Sequence, residues 1–173
     1  MNAAGIPGQV LHSGTTSTGI PHEGLRAGLL AATVVWLWLF VVDALSGTPL
    51  RTHTFFGWAI LTIDGTTPVP TWAKVLTFTI FLALVWMLVG GFVASMVRRA
   101  PGQPTLLIFV AFIFTLLQLA SVAAATALAN LGLGRAAWTD FFVGELLGWA
   151  TTLWYISRHH PEMRTELLDM EEH

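Results

Sequence analysis

Two acids stand within long apolar runs and are the residues of this chain best placed to do chemistry. Asp43 lies near the end of the run 25–45, and Glu145 lies inside the run 138–157. A carboxyl group in hydrocarbon is costly unless it is paired, protonated or facing water, so each acid is a candidate functional residue. At a helical rise of 1.5 Å per residue, Asp43 lies roughly 25 Å above Arg26 and Glu145 roughly 20 Å above Arg158. We therefore expect the two acids at similar depth in the outer half of a membrane.

The functional interpretation of these acids is a polar cluster that serves a proton or cation path. Its candidate members are Asp43, Glu145, Gln118, Arg51 and His53. The structural alternatives are also open. Asp43 would meet Arg51 or cap the following turn, and Glu145 would form a buried hydrogen bond, which includes a proton shared with Asp43. Gln118, in the middle of its run, would hydrogen-bond to a neighbouring helix.

Signals for catalysis or for a bound metal are lacking in the sequence. There is no Cys, no Gly-rich phosphate loop, no HExxH and no GxSxG. All histidines fall outside the four long apolar runs, at His12, His22, His53, His159, His160 and His173. No imidazole is then expected in mid-membrane to hold a haem or a chlorophyll magnesium. We predict a protein that is not an enzyme, with no metal site and no cofactor bound through histidine within the membrane, and with contact to lipid or pigment left open.

The composition is that of an integral membrane protein. Of the 173 residues, 54% are hydrophobic and 10% are charged, whereas soluble domains carry about 25% charged residues. Eight Trp and eleven Phe suit a helical bundle with aromatic anchors at the interfaces. A net charge of −2 argues against nucleic acid as a partner.

Predominantly apolar stretches of about 20 residues or more predict four spanning helices. They run roughly over 25–45, 72–97, 105–130 and 138–157. The predicted fold is therefore all-α, an integral membrane four-helix bundle over 23–158. The apolar segment 54–63 between the first two spans is too short to cross. It is either an interfacial helix or a re-entrant piece inside the bundle, and we favour the interfacial helix.

The ends of the chain are polar. Residues 1–22 are rich in Gly, Ser and Thr and predict a flexible tail. Residues 159–173 predict a cytoplasmic amphipathic tail. With four spans, one side of the membrane holds Arg26, Arg98, Arg99, Arg158 and Arg164, and the other holds Arg51, Lys74 and Arg135. The excess of positive charge on the first side predicts that both termini are cytoplasmic.

Small residues four positions apart predict where helices touch. The patterns are Gly24, Gly28 and Ala32 in the first span, Ala125 and Ala129 in the third, and Gly144 and Gly148 in the fourth. In lipid, small side chains let backbones approach closely, so these faces are expected at helix contacts within the chain. Docking onto other chains is a further use of the same faces. Gly90 and Gly91 predict a kink or another close approach.

Both ends of the chain resemble a group of uncharacterised bacterial inner-membrane proteins with four helices. The likeness is carried by GLRAGLLAATVVWLWLFVVDALSGTPL, with its Gly/Ala-rich first helix, Asp43 and Gly-x-Pro-Leu turn, and by the Arg-His-His-Pro exit from the last helix. This chain has His53 where members often have Pro, and Glu145 where they often have Asn. The resemblance implies four helices and a role of Asp43 in the fold, and it implies no activity.

These observations predict a non-catalytic accessory subunit of a larger bacterial inner-membrane complex, respiratory or photosynthetic. Its expected partners are membrane lipids and other membrane chains. The alternative is a small transporter or ion-conducting oligomer that uses Asp43, Glu145 and Gln118. An enzyme of lipid or quinone chemistry is a third hypothesis.

Overall fold

A computed structural model describes residues 20–61, 68–99, 104–128 and 137–159. Within these residues the chain forms five helices and no strand: α1 (Ile20–Leu45), α2 (Arg51–Leu61), α3 (Thr71–Arg99), α4 (Pro104–Leu128) and α5 (Ala137–His159). The predicted all-helical class is confirmed. The tail segments 1–19 and 160–173 lie outside the described residues, as do Ala129 and the side chain of Ala125.

Two of these helices are long and apolar enough to cross a membrane. They are the segment His22–Leu45 of α1 and the segment Thr71–Val97 of α3. At 1.5 Å per residue, 24 and 27 residues extend for about 36 and 40 Å, more than the roughly 30 Å of hydrocarbon. The other two predicted spans, and with them the four-helix membrane bundle, remain predictions.

Helices α1 and α3 lie so close that their backbones touch. A Cβ atom added to Gly24 would stand 2.7 Å from the Cα of Gly91, and one added to Gly28 would run into the carbonyl oxygen of Trp86. A Cβ on Gly90 would likewise overlap the carbonyl oxygen of Gly24. The start of α1 therefore faces the end of α3, and the two helices are antiparallel. Gly90 serves close approach, while a Cβ on Gly91 would meet nothing within 4 Å.

Helix α5 packs against the other side of this pair. A Cβ on Gly144 would lie 3.1 Å from Cδ1 of Trp38, and one on Gly148 would overlap the Trp86 ring. The indole Nε1 of Trp38 donates a 2.8 Å hydrogen bond to the carbonyl oxygen of Asp140. Since Asp140 and Gly144 face residues late in α1, α5 also runs antiparallel to α1.

The core joins these helices through aromatic rings. Trp149 of α5 meets Trp86 of α3 and Phe114 of α4 edge to face, at centroid distances of 6.0 and 4.8 Å. Small residues of α1 belong to the same core, in which Ala27 and Ala31 are fully buried. The four long helices are thus held by large rings on α3, α4 and α5 and by small side chains on α1.

Helix α2 lies against the bundle with one face buried. His53 and Gly57 are buried, and a Cβ on Gly57 would overlap the carbonyl oxygen of Lys74 in the first turn of α3. Trp58 and Leu61, on the other face, are exposed. The location of α2 at the membrane interface stays a prediction.

Two helix starts differ from the expected segments for a local reason. Helix α1 begins at Ile20, inside the predicted flexible tail 1–22, because Pro21 is tolerated in a first turn and Glu23 favours the positive end of the helix dipole. Residues 20–22 are therefore helical. Helix α2 begins three residues earlier than the predicted 54–63, because the side chain of Asp43, near the end of α1, caps its first turn.

The α1–α3 contact predicts opposite effects at two adjacent glycines. Gly90→Ala places a methyl group against the α1 backbone, and such overpacking is expected to destabilise the protein by about 1 to 3 kcal/mol. Gly91→Ala is the matched control and should be neutral or stabilising by up to about 1 kcal/mol, because Ala favours helix. Thermal unfolding in one detergent, followed by circular dichroism, compares them. Equal melting temperatures would contradict the close approach.

Candidate functional site

A cluster of polar groups lies at the junction between α1 and α2, and its central residue is Asp43. This acid is buried, with 6% of its surface exposed. Its Oδ2 accepts a 2.8 Å hydrogen bond from the backbone N–H of Thr52, and its Oδ1 accepts a 2.7 Å hydrogen bond from the Thr52 hydroxyl. Asp43 thus caps the start of α2 from the end of α1, in the way a carboxylate at a helix N-terminus satisfies amides that have no helical partner.

The turn that makes this cap possible spans 46–50. Gly47 and Leu50 both have positive φ, of 74° and 66°. The N–H of Thr48 donates a 3.1 Å hydrogen bond to the carbonyl oxygen of Asp43. The Gly-x-Pro-Leu sequence therefore reverses the chain within five residues, which brings Thr52 back to the carboxylate.

His53 lies beside this cap and is completely buried. Its Nδ1 is 3.5 Å from Oδ2 of Asp43, longer than an ordinary hydrogen bond. Its ring stands edge-on to Trp36 at 4.6 Å and to Phe78 at 5.4 Å. Neither ring nitrogen has a hydrogen bond of ordinary geometry with a described residue. The sequence indicated only that His53 falls outside the long apolar runs, whereas the fold encloses it between α1 and α3.

The enclosure of His53 determines its charge. Burial lowers the pKa of His53 below its ordinary value, while the Asp43 carboxylate and the Trp36 carbonyl act in the opposite direction. The imidazole is consequently neutral at pH 7. A neutral histidine beside a carboxylate can hold a proton, but the hydroxyl of Thr52 bonds to Asp43 and not to the imidazole. The group is thus no nucleophile–base arrangement.

The remaining predicted members of the cluster are spread through the bundle. Arg51 is exposed on the first turn of α2, where it has an interaction of its own. Gln118 of α4 is buried, and its amide atoms make no hydrogen bond with a described residue. Asp140, at the start of α5, is an acid that feels the charge of Asp43. Sequence spacing could not show this, because it depends on how α5 packs against α1.

Glu145 lies at a different level from the one predicted. Its neighbour Gly144 faces Trp38 and Val35, which precede Asp43 by five and eight residues. At 1.5 Å per residue, Glu145 is therefore roughly 10 Å deeper in the bundle than Asp43. It lines a cavity of about 400 Å³ together with Trp86, Phe141 and Trp149. The expectation was similar depth: the estimates of roughly 25 and 20 Å from the sequence already placed Glu145 about 5 Å deeper, and the contact register between α1 and α5 adds the rest.

The faces of small residues predicted on α1 and α5 pack against different groups, the first against a backbone and the second against side chains. Gly24, Gly28 and buried Ala32 lie on α1, and the two glycines touch the α3 backbone. Gly144 and Gly148 face the side chains of α1 and α3. Within the described part of the chain, no three His, Asp or Glu side chains gather in a group that could hold a metal ion.

No protein-family model matches this chain, and no curated protein or solved structure matches it. The resemblance to a group of four-helix membrane proteins therefore stays a prediction. Function has to be inferred from the side chains of the chain itself.

The cap predicts that Asp43→Ala destabilises the α1–α2 junction. Removing the acceptor of two hydrogen bonds at a helix start is expected to cost about 1 to 3 kcal/mol of unfolding free energy. Thr52→Val, which keeps the backbone N–H bond, should cost less. Ser46→Ala is the control, because the exposed Ser46 hydroxyl bonds only to the Val42 carbonyl. Hydrogen exchange of the α2 amides measures the effect, and unchanged exchange in Asp43→Ala would contradict the cap.

Burial of His53 predicts a stability that falls in mild acid. In the folded state His53 binds its proton less tightly than in the unfolded state. The contribution of neutral His53 to the free energy of unfolding is therefore fully present above about pH 6.5 and falls as the pH drops below that value. The loss is limited to about 1.4 kcal/mol per pH unit. Unfolding in detergent at pH 7.5, 6.5 and 5.5 measures it. His53→Phe should flatten this dependence, and an identical slope in that variant would assign it to other groups.

Proposed function

We propose that the chain is a multi-pass protein of the bacterial inner membrane in which α1, α3, α4 and α5 all span the bilayer. Helix α4 supports this because its 25 residues contain no charged side chain. Helix α5 lies antiparallel along α1 through Gly144 and Gly148. Large apolar side chains are exposed along all four helices, among them Leu37, Leu88, Leu119 and Trp154 at 50 to 75%. A surface of this kind suits lipid or another membrane chain.

In this arrangement both termini are cytoplasmic. The start of α1 lies beside the end of α3, and α5 runs antiparallel to α1, so the end of α5 reaches the same side. That side carries five of the eight Lys and Arg residues, which supports a cytoplasmic location. A reporter enzyme fused after His173 should be active only inside the cell. Activity confined to the outside would contradict this orientation.

For the function, we infer a non-catalytic accessory subunit that stabilises a larger membrane complex, respiratory or photosynthetic. The observation that carries this inference is the use of Asp43. Both oxygens of the acid best suited to chemistry are bonded to Thr52, so the acid serves the fold. Hydroxyl groups inside the helices are used in the same way. Thr33, Thr79, Thr151 and Thr152 each donate to the carbonyl four residues earlier.

The second candidate is a small transporter or ion-conducting oligomer. It is favoured by one observation, the position of Glu145 on the wall of a half-open cavity. Two other observations weigh against a path through all three predicted residues. Asp43 is bonded to α2, and Gln118 is not among the described residues that line the cavity. A path would therefore depend on Glu145.

The accessory role predicts that the chain leaves its native membrane as part of a complex. Extraction in a mild detergent, followed by native mass spectrometry, should show it bound to defined other membrane chains at fixed stoichiometry. The exposed apolar faces of α3 and α5 are the expected contact, so Leu88→Lys should release the chain from the complex without unfolding it. The control is Leu45→Lys, at an exposed helix end. A stable lone monomer would contradict the accessory role.

A further inference from the structure

The half-open cavity that Glu145 lines has the properties of a ligand site. Its walls come from all five helices and carry aromatic rings, among them Phe56, Phe78, Trp86, Phe141 and Trp149. Glu145 is the only charged side chain among the described residues that line it. An apolar, aromatic chamber with a single polar group is typical of sites for small hydrophobic molecules.

The volume of the cavity limits the size of its ligand. At about 400 Å³ it falls within the range of small-molecule sites. It is well over twice the size of the roughly 150 Å³ cavity that takes up benzene, so by proportion it holds about 16 non-hydrogen atoms. One alkyl chain with a compact head fits this space. A whole phospholipid does not.

The opening of the cavity lies between α3 and α4. The lining residues that remain exposed are Phe81 and Val85 on α3 and Leu117 and Ala120 on α4. If these helices span the membrane as proposed above, the opening faces hydrocarbon. A ligand then enters sideways from the lipid phase, and an apolar body favours that route.

The charge of the cavity selects the head of the ligand. A carboxylate in apolar surroundings is stabilised by an opposite charge that shares its enclosure. The surrounding rings favour the same partner, because a cation over an aromatic face is attracted by the ring quadrupole. Glu145 also interacts with another group of the protein, and the cation of a ligand would be a further partner of its carboxyl group. An anionic head would be repelled.

We propose that this cavity binds one lipophilic cation, with an ammonium-type head at Glu145 and an apolar body between Trp86, Trp149 and Phe141. The head can belong to a free amphiphile, or it can be the amine of a lipid headgroup that reaches inward while the phosphate and the acyl chains of that lipid stay outside. This inference goes beyond the accessory role and rests only on the proposed membrane location.

Dodecyltrimethylammonium, with about 16 non-hydrogen atoms, is a suitable probe. The labelled probe is titrated into lipid nanodiscs that hold the full-length protein, and binding to empty discs is subtracted. Wild-type protein should show saturable binding of one molecule. Glu145→Gln should weaken it about tenfold or more, since a charged contact in an apolar site is lost. Asp140→Asn is the matched control: it removes an acid from the same helix outside the cavity and should change affinity less than about twofold.

A second variant keeps the proposal testable if Glu145→Gln fails to fold. Ala120→Phe fills the opening and leaves every charge in place, so it should abolish saturable binding while thermal unfolding stays cooperative. The neutral isostere 2,2-dimethyltetradecane, in which carbon replaces the nitrogen, should not compete with the probe. Equal competition by this isostere, or unchanged affinity in Glu145→Gln, would overturn the proposal.

The same assay distinguishes the two sources of the cation. Discs of phosphatidylethanolamine and discs of phosphatidylglycerol are compared by the ratio of wild-type to Glu145→Gln affinity. A smaller ratio in phosphatidylethanolamine supports the site and identifies the lipid amine as its occupant. The same ratio in both lipids supports the site with a free amphiphile as its ligand.

Discussion

The contact between the backbones of α1 and α3 fixes the arrangement of the other helices. Gly24 and Gly28 on one helix and Gly90 on the other let the two axes approach until main-chain atoms touch. Such an approach permits only one register, because a shift of one residue would bring a larger side chain into the contact. In that register Trp36 donates a 3.0 Å hydrogen bond to Thr79. Trp86 is placed so that its ring receives Gly148 of α5.

A second constraint, the cap on α2, follows from the first. Because α1 ends where α3 begins, a helix that starts beside Asp43 must run along the first turns of α3. The two bonds from Thr52 fix that start, and Gly57 then meets the backbone at Lys74. This path pushes His53 between Trp36 and Phe78. A short amphipathic segment thereby brings a titratable group into an aromatic environment, where its neutral form is favoured.

The two acids that stood out in the sequence have different surroundings in the fold. Asp43 is occupied by hydrogen bonds from the chain, and its electrostatic neighbour is Asp140. Glu145 lies deeper and borders a cavity whose other described walls carry no charge. The same residue type thus caps a helix in one place and borders an aromatic cavity in the other. What separates the two roles is the packing around each carboxylate, since helix propensity and charge are alike.

Residue types and apolar lengths alone predicted the helical class, the long apolar helices and the glycines of α1 and α5 that lie at helix contacts. These are local properties: uncharged length sets a helix that can cross hydrocarbon, Pro104 suits the first position of α4, and glycine lacks a Cβ. Asp43 as a capping acid was one of the alternatives, but the residue at which α2 begins could not be predicted, because the cap comes from nine positions earlier. Nor could the burial of His53, the depth of Glu145 or the approach of Asp140 to Asp43. Each of these depends on the register between helices far apart in the chain, and only the tertiary packing of backbone against backbone decides that register.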